Sequence, residues 1–489
     1  VIALAQLMVV LDLTVMNVAL PSAQRALGFS TVDRQWVVTA YSLAFGSLLL
    51  PGGRLADLLG RKVTFLTGLA GFAGVSAIGG ASVNFAMLII ARACQGAFAA
   101  LLVPSALSLL TTTFTAPKDR GRAFAVYGAI AGAGGAIGLL LGGALTEYLS
   151  WRWCMYVNLI FAAVAFAGGA LLLGRQASPA KPRLDIPGVL LVSGAVFCLV
   201  YGFSNAAAHS WATPSTYGFL AAGVVLLAAF AAWQARAAHP LLPPRVVLDR
   251  NRGGAYLSFF IAAAGLFGIF LFLTYYLQQT LGYSPLVTGV AFLPISAGLI
   301  LASNLSTIVL MPRFGPKPLV ALGMLAAAGG AAWLAELGPH TAYATGVLSP
   351  LILAGIGVGI VIAPVINTGT FGVAPQDAGV ASATVTVGQQ LGASVGTSLL
   401  NTIFAAAVTS YLTAHLAAAR LIGRPALTGL ALAHGYDTAF WWIAGIFAGG
   451  AVVGGTLLRP GPLVHKDTLS PSHGEVPAAQ AGASPSHPA

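Results

Sequence analysis

Charge is scarce in this chain. Of 489 residues only 7% are Asp, Glu, Lys or Arg and only 12 are acidic, whereas a soluble domain carries roughly a quarter charged residues. With 57% hydrophobic residues, it has too little polar surface to coat a water-soluble globule. Cysteine is nearly missing as well. Cys94, Cys154 and Cys198 lie in apolar stretches without C-x-x-C spacing, which argues against a zinc site or a disulfide framework and leaves them as small packing residues. The eight histidines fall mainly in loops and the C-terminal tail. A membrane-embedded enzyme would want His, Asp or Ser clustered at one depth, so no enzyme, metal site or cofactor is expected. The net charge of +11 is scattered through short loops, so it calls for no nucleic-acid partner.

What the chain does have is a succession of apolar runs about 20 residues long, the length that spans a bilayer. Reading between polar, Pro and Gly breaks predicts fourteen helices, near residues 1-20, 35-55, 63-82, 86-110, 122-146, 153-174, 187-204, 215-236, 254-280, 287-311, 318-337, 346-367, 379-410 and 437-458. The first run is expected to be a span and not a signal peptide, because Asp12 and the polar residues after it do not suit a cleavage site. With the N-terminus inside, 17 of the 23 basic residues fall on the cytoplasmic side: Arg54, Arg61, Lys62, Lys118, Arg120, Arg122, Arg175, Lys181, Arg183, Arg236, Arg245, Arg250, Arg252, Arg313, Lys317, Arg459 and Lys466. Arg25, Arg34, Arg152, Arg420 and Arg424 remain outside, and the excess inside fixes the orientation. The expected location is the cell (inner) membrane with both termini cytoplasmic. Residues 459-489, rich in Pro, Ser, Ala and His, read as a disordered tail.

Two loops recur. Pro117-Lys118-Asp119-Arg120-Gly121-Arg122-Ala123 returns as Pro375-Gln376-Asp377-Ala378-Gly379-Val380-Ala381, 258 residues on, and Gly60-Arg61-Lys62 is echoed by Gly315-Pro316-Lys317 at an offset of 255. Helices 1 to 6 then match helices 9 to 14. The predicted organisation is an N-terminal six-helix bundle over 1-174, two inserted helices over 187-236 and a C-terminal six-helix bundle over 254-458. Paired halves around a midplane site are the architecture of alternating-access transport.

An ionisable group inside a span is a functional candidate by default. Among the acids, Asp12 alone is deep. It lies nine residues before Pro21, about 13 Å below the outer end of helix 1, and Arg92 lies at a depth of roughly 10 Å in the descending helix 4. Either charge alone would cost roughly 3 kcal/mol on insertion scales, so mutual compensation is expected. The bland alternative is a static ion pair. The sharper reading makes Asp12 the proton carrier, since burial disfavours a carboxylate, a nearby guanidinium favours it, and Arg does not release its own proton. Gln95 and Gly96 share the face of Arg92, and Thr14 and Asn17 accompany Asp12 on helix 1. With Gln389 and Gln390 in helix 13, these polar residues are candidates for the substrate cavity or for interhelical glue. In helix 5, Gly134, Gly138 and Gly142 form a stripe of spacing four beside Gly143, suited to close packing or to a sliding surface.

At these residues the chain resembles the major facilitator superfamily, specifically its fourteen-helix drug:proton antiporter branch. Leu11-Asp12-Leu13-Thr14-Val15-Met16-Asn17-Val18-Ala19-Leu20-Pro21 is similar to that branch's first-helix signature. Gly53-Arg54-Leu55-Ala56-Asp57-Leu58-Leu59-Gly60-Arg61-Lys62 fits G-x-L-A-D-x-x-G-R-K, and Arg92-Ala93-Cys94-Gln95-Gly96 fits R-x-x-Q-G. Trp151-Arg152-Trp153 with Tyr156 and Asn158 also fits, as do Gln278, Gly282, Ser284, Pro285, Gly289 and Pro294. The resemblance implies an all-α fold, a role for Arg92 in proton coupling, and an inner charge clamp of Asp57, Arg61 and Lys62 that stabilises one facing state. The antiporter motif of helix 5 reads G-x-x-x-G-P-x-x-G-G, but here Gly138 is followed by Leu139, which removes a kink. The expected function is proton-driven efflux of small lipophilic compounds by a monomer; the alternative is a proton-coupled carrier of one metabolite, including an importer.

Overall fold

The computed structural model describes residues 1–29, 34–114, 116–174, 185–208, 211–238, 240–338, 341–374, 377–415 and 423–461. Arg175, Lys181, Arg183, Pro375, Gln376, Arg420 and the tail from residue 462 lie outside the described residues, as do the side chains of Asn17, Arg34, Lys118 and Arg120.

No strand occurs among the described residues. That is what a bilayer imposes on a chain without a closed barrel, because each span must satisfy its own backbone N–H and C=O groups. The long helices are α1 (Ile2–Leu27), α2 (Arg34–Leu59), α3 (Arg61–Gly80), α4 (Phe85–Thr113), α5 (Pro117–Tyr148), α6 (Trp153–Leu172), α7 (Ile186–Ala208) and α8 (Pro214–Gln234). They continue as α9 (Arg250–Thr280), α10 (Leu286–Phe314), α11 (Pro316–Leu334), α12 (Tyr343–Thr370), α13 (Ala378–Ala414) and α14 (Arg424–Leu457). Among the described residues twelve helices are long and apolar enough to cross a membrane, or thirteen if the two bent pieces of α1 count as one span.

Helix α1 outruns its expected end. Pro21 does not stop it; instead Ile2–Met16 and Val18–Leu27 meet at 42°. The break falls at residue 17, four before Pro21. At the far end, Gly28 closes the helix with φ of 70°, a left-handed cap that glycine adopts without strain.

The packing repeats along the chain. Helix α1 lies on α5, α2 on α4, and α3 against α4 and α6; with the same spacing, α9 lies on α13, α10 on α12, and α11 against α12 and α14. Gly60 (φ 93°) and Gly315 (φ 73°), matched by the sequence repeat, stand at corresponding points as the residues before α3 and α11. Helix α7 packs on α8 and reaches both α2 and α13. Its start is tied down by Asp185, which accepts from Gly188 N at 3.0 Å, Trp233 Nε1 at 2.8 Å and Gln234 Nε2 at 2.7 Å. Burial of Asp185 raises its proton affinity, but these donors outweigh it and hold the carboxyl below the ordinary range.

Candidate functional site

The two deep charges meet. Arg92 Nη1 donates to Asp12 Oδ2 at 2.6 Å, and both side chains are 1% exposed. The same nitrogen reaches Gln95 Oε1 at 2.9 Å, while Nε donates to the Val37 carbonyl at 3.2 Å. Below the guanidinium lies the Tyr41 ring, with Cζ 4.6 Å from its centroid, a distance at which cation–π attraction acts. Asp12 Oδ1 accepts from Asn158 Nδ2 at 2.7 Å and from Gln95 Nε2 at 3.2 Å, and Gln95 Nε2 also donates to Ser76 Oγ at 2.7 Å. Asp12, Tyr41, Ser76, Arg92, Gln95 and Asn158 are all buried. One charge pair is thus wrapped by polar groups from α1, α2, α3, α4 and α6, which compensates each charge for the water it lost.

Local sequence makes this convergence possible. Arg92 and Gln95 are three residues apart on α4 and so share a face. Gly96, next on that face, lets α2 come close: a Cβ there would meet the Tyr41 carbonyl and lie 3.0 Å from Phe45 N. Any larger residue would lift α4 away from the ring and the Val37 carbonyl that hold Arg92.

Other candidates go elsewhere. Thr14 turns its hydroxyl to its own helix, bonding Val10 O and Leu11 O at 3.2 and 3.1 Å. Its neighbour is the glycine stripe: a Cβ on Gly138 would overlap Thr14 Oγ1, and one on Gly142 would lie 2.9 Å from Val15 Cα. Gly134 packs over Val10 in the same way, while Gly143 faces Leu286 of α10. The stripe therefore seats α5 on α1. Gln390 lies against Gly46 of α2, its Cγ 3.6 Å from where a Cβ would stand, and Gln389 is half-buried; neither joins the Asp12 cluster.

The inner loop divides its charges. Asp57 pairs with Arg61 at 3.7 Å and accepts from Gly379 N, at the start of α13, at 3.0 Å. Lys62 instead donates to the Ala170 carbonyl at 2.8 Å and to that of Leu173, closing the end of α6, so the clamp expected of three residues is an Asp57–Arg61 pair facing a helix N-terminus. Gly53 allows the approach: its Cβ would sit 2.8 Å from Ala383 Cβ. Two residues before Gly379, Asp377 takes a second tie from Arg245 at 2.8 Å. Among the described residues no group of three or more His, Cys, Asp or Glu is placed to hold a metal.

Fold and site together define an all-helical polytopic membrane protein with a buried, fully enclosed ion pair. The chain belongs to the Major Facilitator Superfamily, whose model matches residues 2–397. It is 48% identical over 460 residues to a puromycin resistance protein of Streptomyces alboniger, covering 94% of this chain and 90% of that one. A cephamycin export protein of Amycolatopsis lactamdurans is 40% identical, with 82% and 83% covered. The fold is shared with the human organic anion transporter MFSD10 (TM-score 0.61, 16% identity, 93% and 98% covered) and with the proton:xylose symporter XylE (TM-score 0.62, 14% identity, 94% and 95% covered).

Asn158, Ser76, Tyr41 and Gly379 take part without having been assigned a role from sequence. Asn158 and Ser76 did carry a signal, being polar side chains inside apolar runs. Tyr41, the Val37 carbonyl and the amide of Gly379 carried none.

Proposed function

We propose that the protein exports small lipophilic compounds of the antibiotic kind across the cytoplasmic membrane, taking up protons through Asp12. The observation that carries this is the Asp12–Arg92 pair at 2.6 Å, 1% exposed and wrapped by Gln95, Asn158 and Tyr41. An ionisable pair held inside the spans and enclosed by donors from several helices marks a proton or substrate pathway by default. Relatives named for puromycin resistance and cephamycin export support the direction of transport and the class of cargo.

On this reading all fourteen helices cross the membrane with both termini in the cytoplasm, as two six-helix halves (1-174 and 254-458) flanking the inserted pair (187-236). The Asp57–Gly379 contact then closes the cytoplasmic end, and the protein works as a monomer without a cofactor. One proton supplies about 1.4 kcal/mol per pH unit and about 2.3 kcal/mol per 100 mV. A monocation leaving against one proton moves no net charge, so one deep carboxylate favours neutral or weakly charged cargo.

The test is puromycin tolerance in a bacterial host deprived of its own exporters, followed by pH-jump efflux from vesicles. Wild type should raise tolerance and release puromycin when the outside is acidified, and Asp12→Asn should do neither. Acid-driven efflux that survives Asp12→Asn would remove the assignment.

A further inference from the structure

Every group hydrogen-bonded to Asp12 is a donor. Oδ2 faces Arg92 Nη1 at 2.6 Å, and Oδ1 faces the amide nitrogens of Asn158 at 2.7 Å and Gln95 at 3.2 Å. This suits a carboxylate and not the acid, whose new O–H needs an acceptor and would otherwise point at an N–H. One of the three must change when a proton arrives.

Arg92 has no acceptor to offer. Gln95 is locked by its other contacts: its Oε1 accepts from Arg92 at 2.9 Å, so turning the amide over would set two donors against each other. Asn158 carries no such lock. Its Oδ1 is buried and has no hydrogen-bond partner, an arrangement that costs free energy in the interior. Turning this amide over breaks only the bond to Asp12 and brings the unpartnered oxygen to the place where an acceptor is wanted.

We infer that the Asn158 amide inverts when Asp12 is protonated, which makes Asn158 the positioning residue that reads the charge state of the site and transmits it to α6. A proton from the outer aqueous side bonds to Asp12 Oδ1, the Asn158 Nδ2–H to Oδ1 bond breaks, and the new Asp12 O–H donates to Asn158 Oδ1. Deprotonation reverses each change. The groups facing Asp12 are Arg92 and Gln95 of α4, Tyr41 of α2, Ser76 of α3 through Gln95, and Cys154 and Asn158 of α6; Tyr41 and Cys154 are the other titratable groups that feel its charge. Helix α5 presents Gly134, Gly138 and Gly142 to α1.

The inference rests on Asp12 being the proton site, and infrared difference spectroscopy separates the two claims. Protein carrying asparagine labelled with carbon-13 at the side-chain carbonyl is reconstituted in lipid vesicles, and spectra are taken on lowering the pH. The expected result is a rising carboxylic C=O band together with a downward shift of an isotope-sensitive asparagine carbonyl band. In Asn158→Leu the carboxylic band should remain, the asparagine change should vanish, and acid-driven puromycin efflux should fall about tenfold, the worth of one lost hydrogen bond. If that variant does not fold, the wild-type spectra still decide. A carboxylic band without an asparagine change overturns the inversion and leaves the proton site standing. Persistence of the asparagine change in Asn158→Leu assigns it to another residue and also overturns the inversion. Absence of the carboxylic band removes both.

Discussion

Arg92 spreads one guanidinium over Asp12, Gln95, the Val37 carbonyl and the Tyr41 ring. A planar fork reaches that many partners at once; an ammonium on a flexible stem does not. Arg92→Lys should therefore retain the charge and still lose most acid-driven efflux, measured as release of preloaded puromycin. Truncation tests a different quantity. Arg92→Met strands a buried carboxylate, which costs about 3–5 kcal/mol when one partner of a buried pair is removed, and should lower thermal stability in detergent markedly. Adding Asp12→Asn removes the stranded charge, so the double variant should melt above Arg92→Met alone. Equal or additive losses would show that the two side chains are not coupled.

At the scale of helices, glycines decide how near the charged groups come. Gly96→Ala puts a methyl group into the backbone of α2 at Tyr41 and Phe45, where nothing can swing aside, so overpacking of about 1–3 kcal/mol is expected. Gly138→Ala meets the Thr14 side chain, with Oγ1 overlapped and Cβ at 2.8 Å, so pairing it with Thr14→Ala should recover only part of the lost thermal stability; Gly142→Ala, against the backbone of Val15, should gain nothing from it. Helices α7 and α8 carry a pH-dependent staple. Donors hold the Asp185 carboxyl below its ordinary range, so its contribution to stability is present above the unfolded-state value and is lost as pH falls through the lower, folded one. Asp185→Asn should lower the melting temperature at neutral pH, and the gap from wild type should close under strong acid. A gap independent of pH would mean that packing, and not charge, anchors α7.

For the whole molecule, the contact of α2 with α13 is the place where the first and second sets of helices are latched at the Asp57 end. Asp57 joins Arg61 on its own side to the Gly379 amide on the other, and Arg245 ties Asp377 nearby. Asp57→Asn keeps the shape but discards the charge that favours a helix N-terminus. It should lengthen the distances between spin labels on the α2 end and the α13 start, and an unchanged distance distribution would show that the carboxylate does not hold this end shut.

Much of this was legible beforehand, unevenly. The depths of Asp12 and Arg92 follow from counting residues along apolar runs, because helical rise converts sequence distance into depth, and so the pairing could be expected. The fate of Lys62 could not. It sits beside Arg61 in the chain, but a helix points adjacent residues in different directions, and the carbonyls of Ala170 and Leu173 that attract it are more than a hundred positions away. Tyr41 was no more legible, since an apolar pattern reads it as packing, whereas the Thr14 hydroxyl is taken by its own turn, a local choice open to any mid-helix threonine.

Sequence alone determined that the chain is an all-helical, multi-span membrane protein and that Asp12 and Arg92 lie inside apolar runs. These are properties of single segments, and a one-dimensional pattern carries them in full. The tertiary structure decided which donors surround Asp12, that Asn158 keeps an unpartnered oxygen beside it, and that Asp57 faces the Gly379 amide. Those outcomes depend on the rotation and closeness of helices distant in sequence, set by glycine contacts summed over the bundle, and no local pattern encodes them.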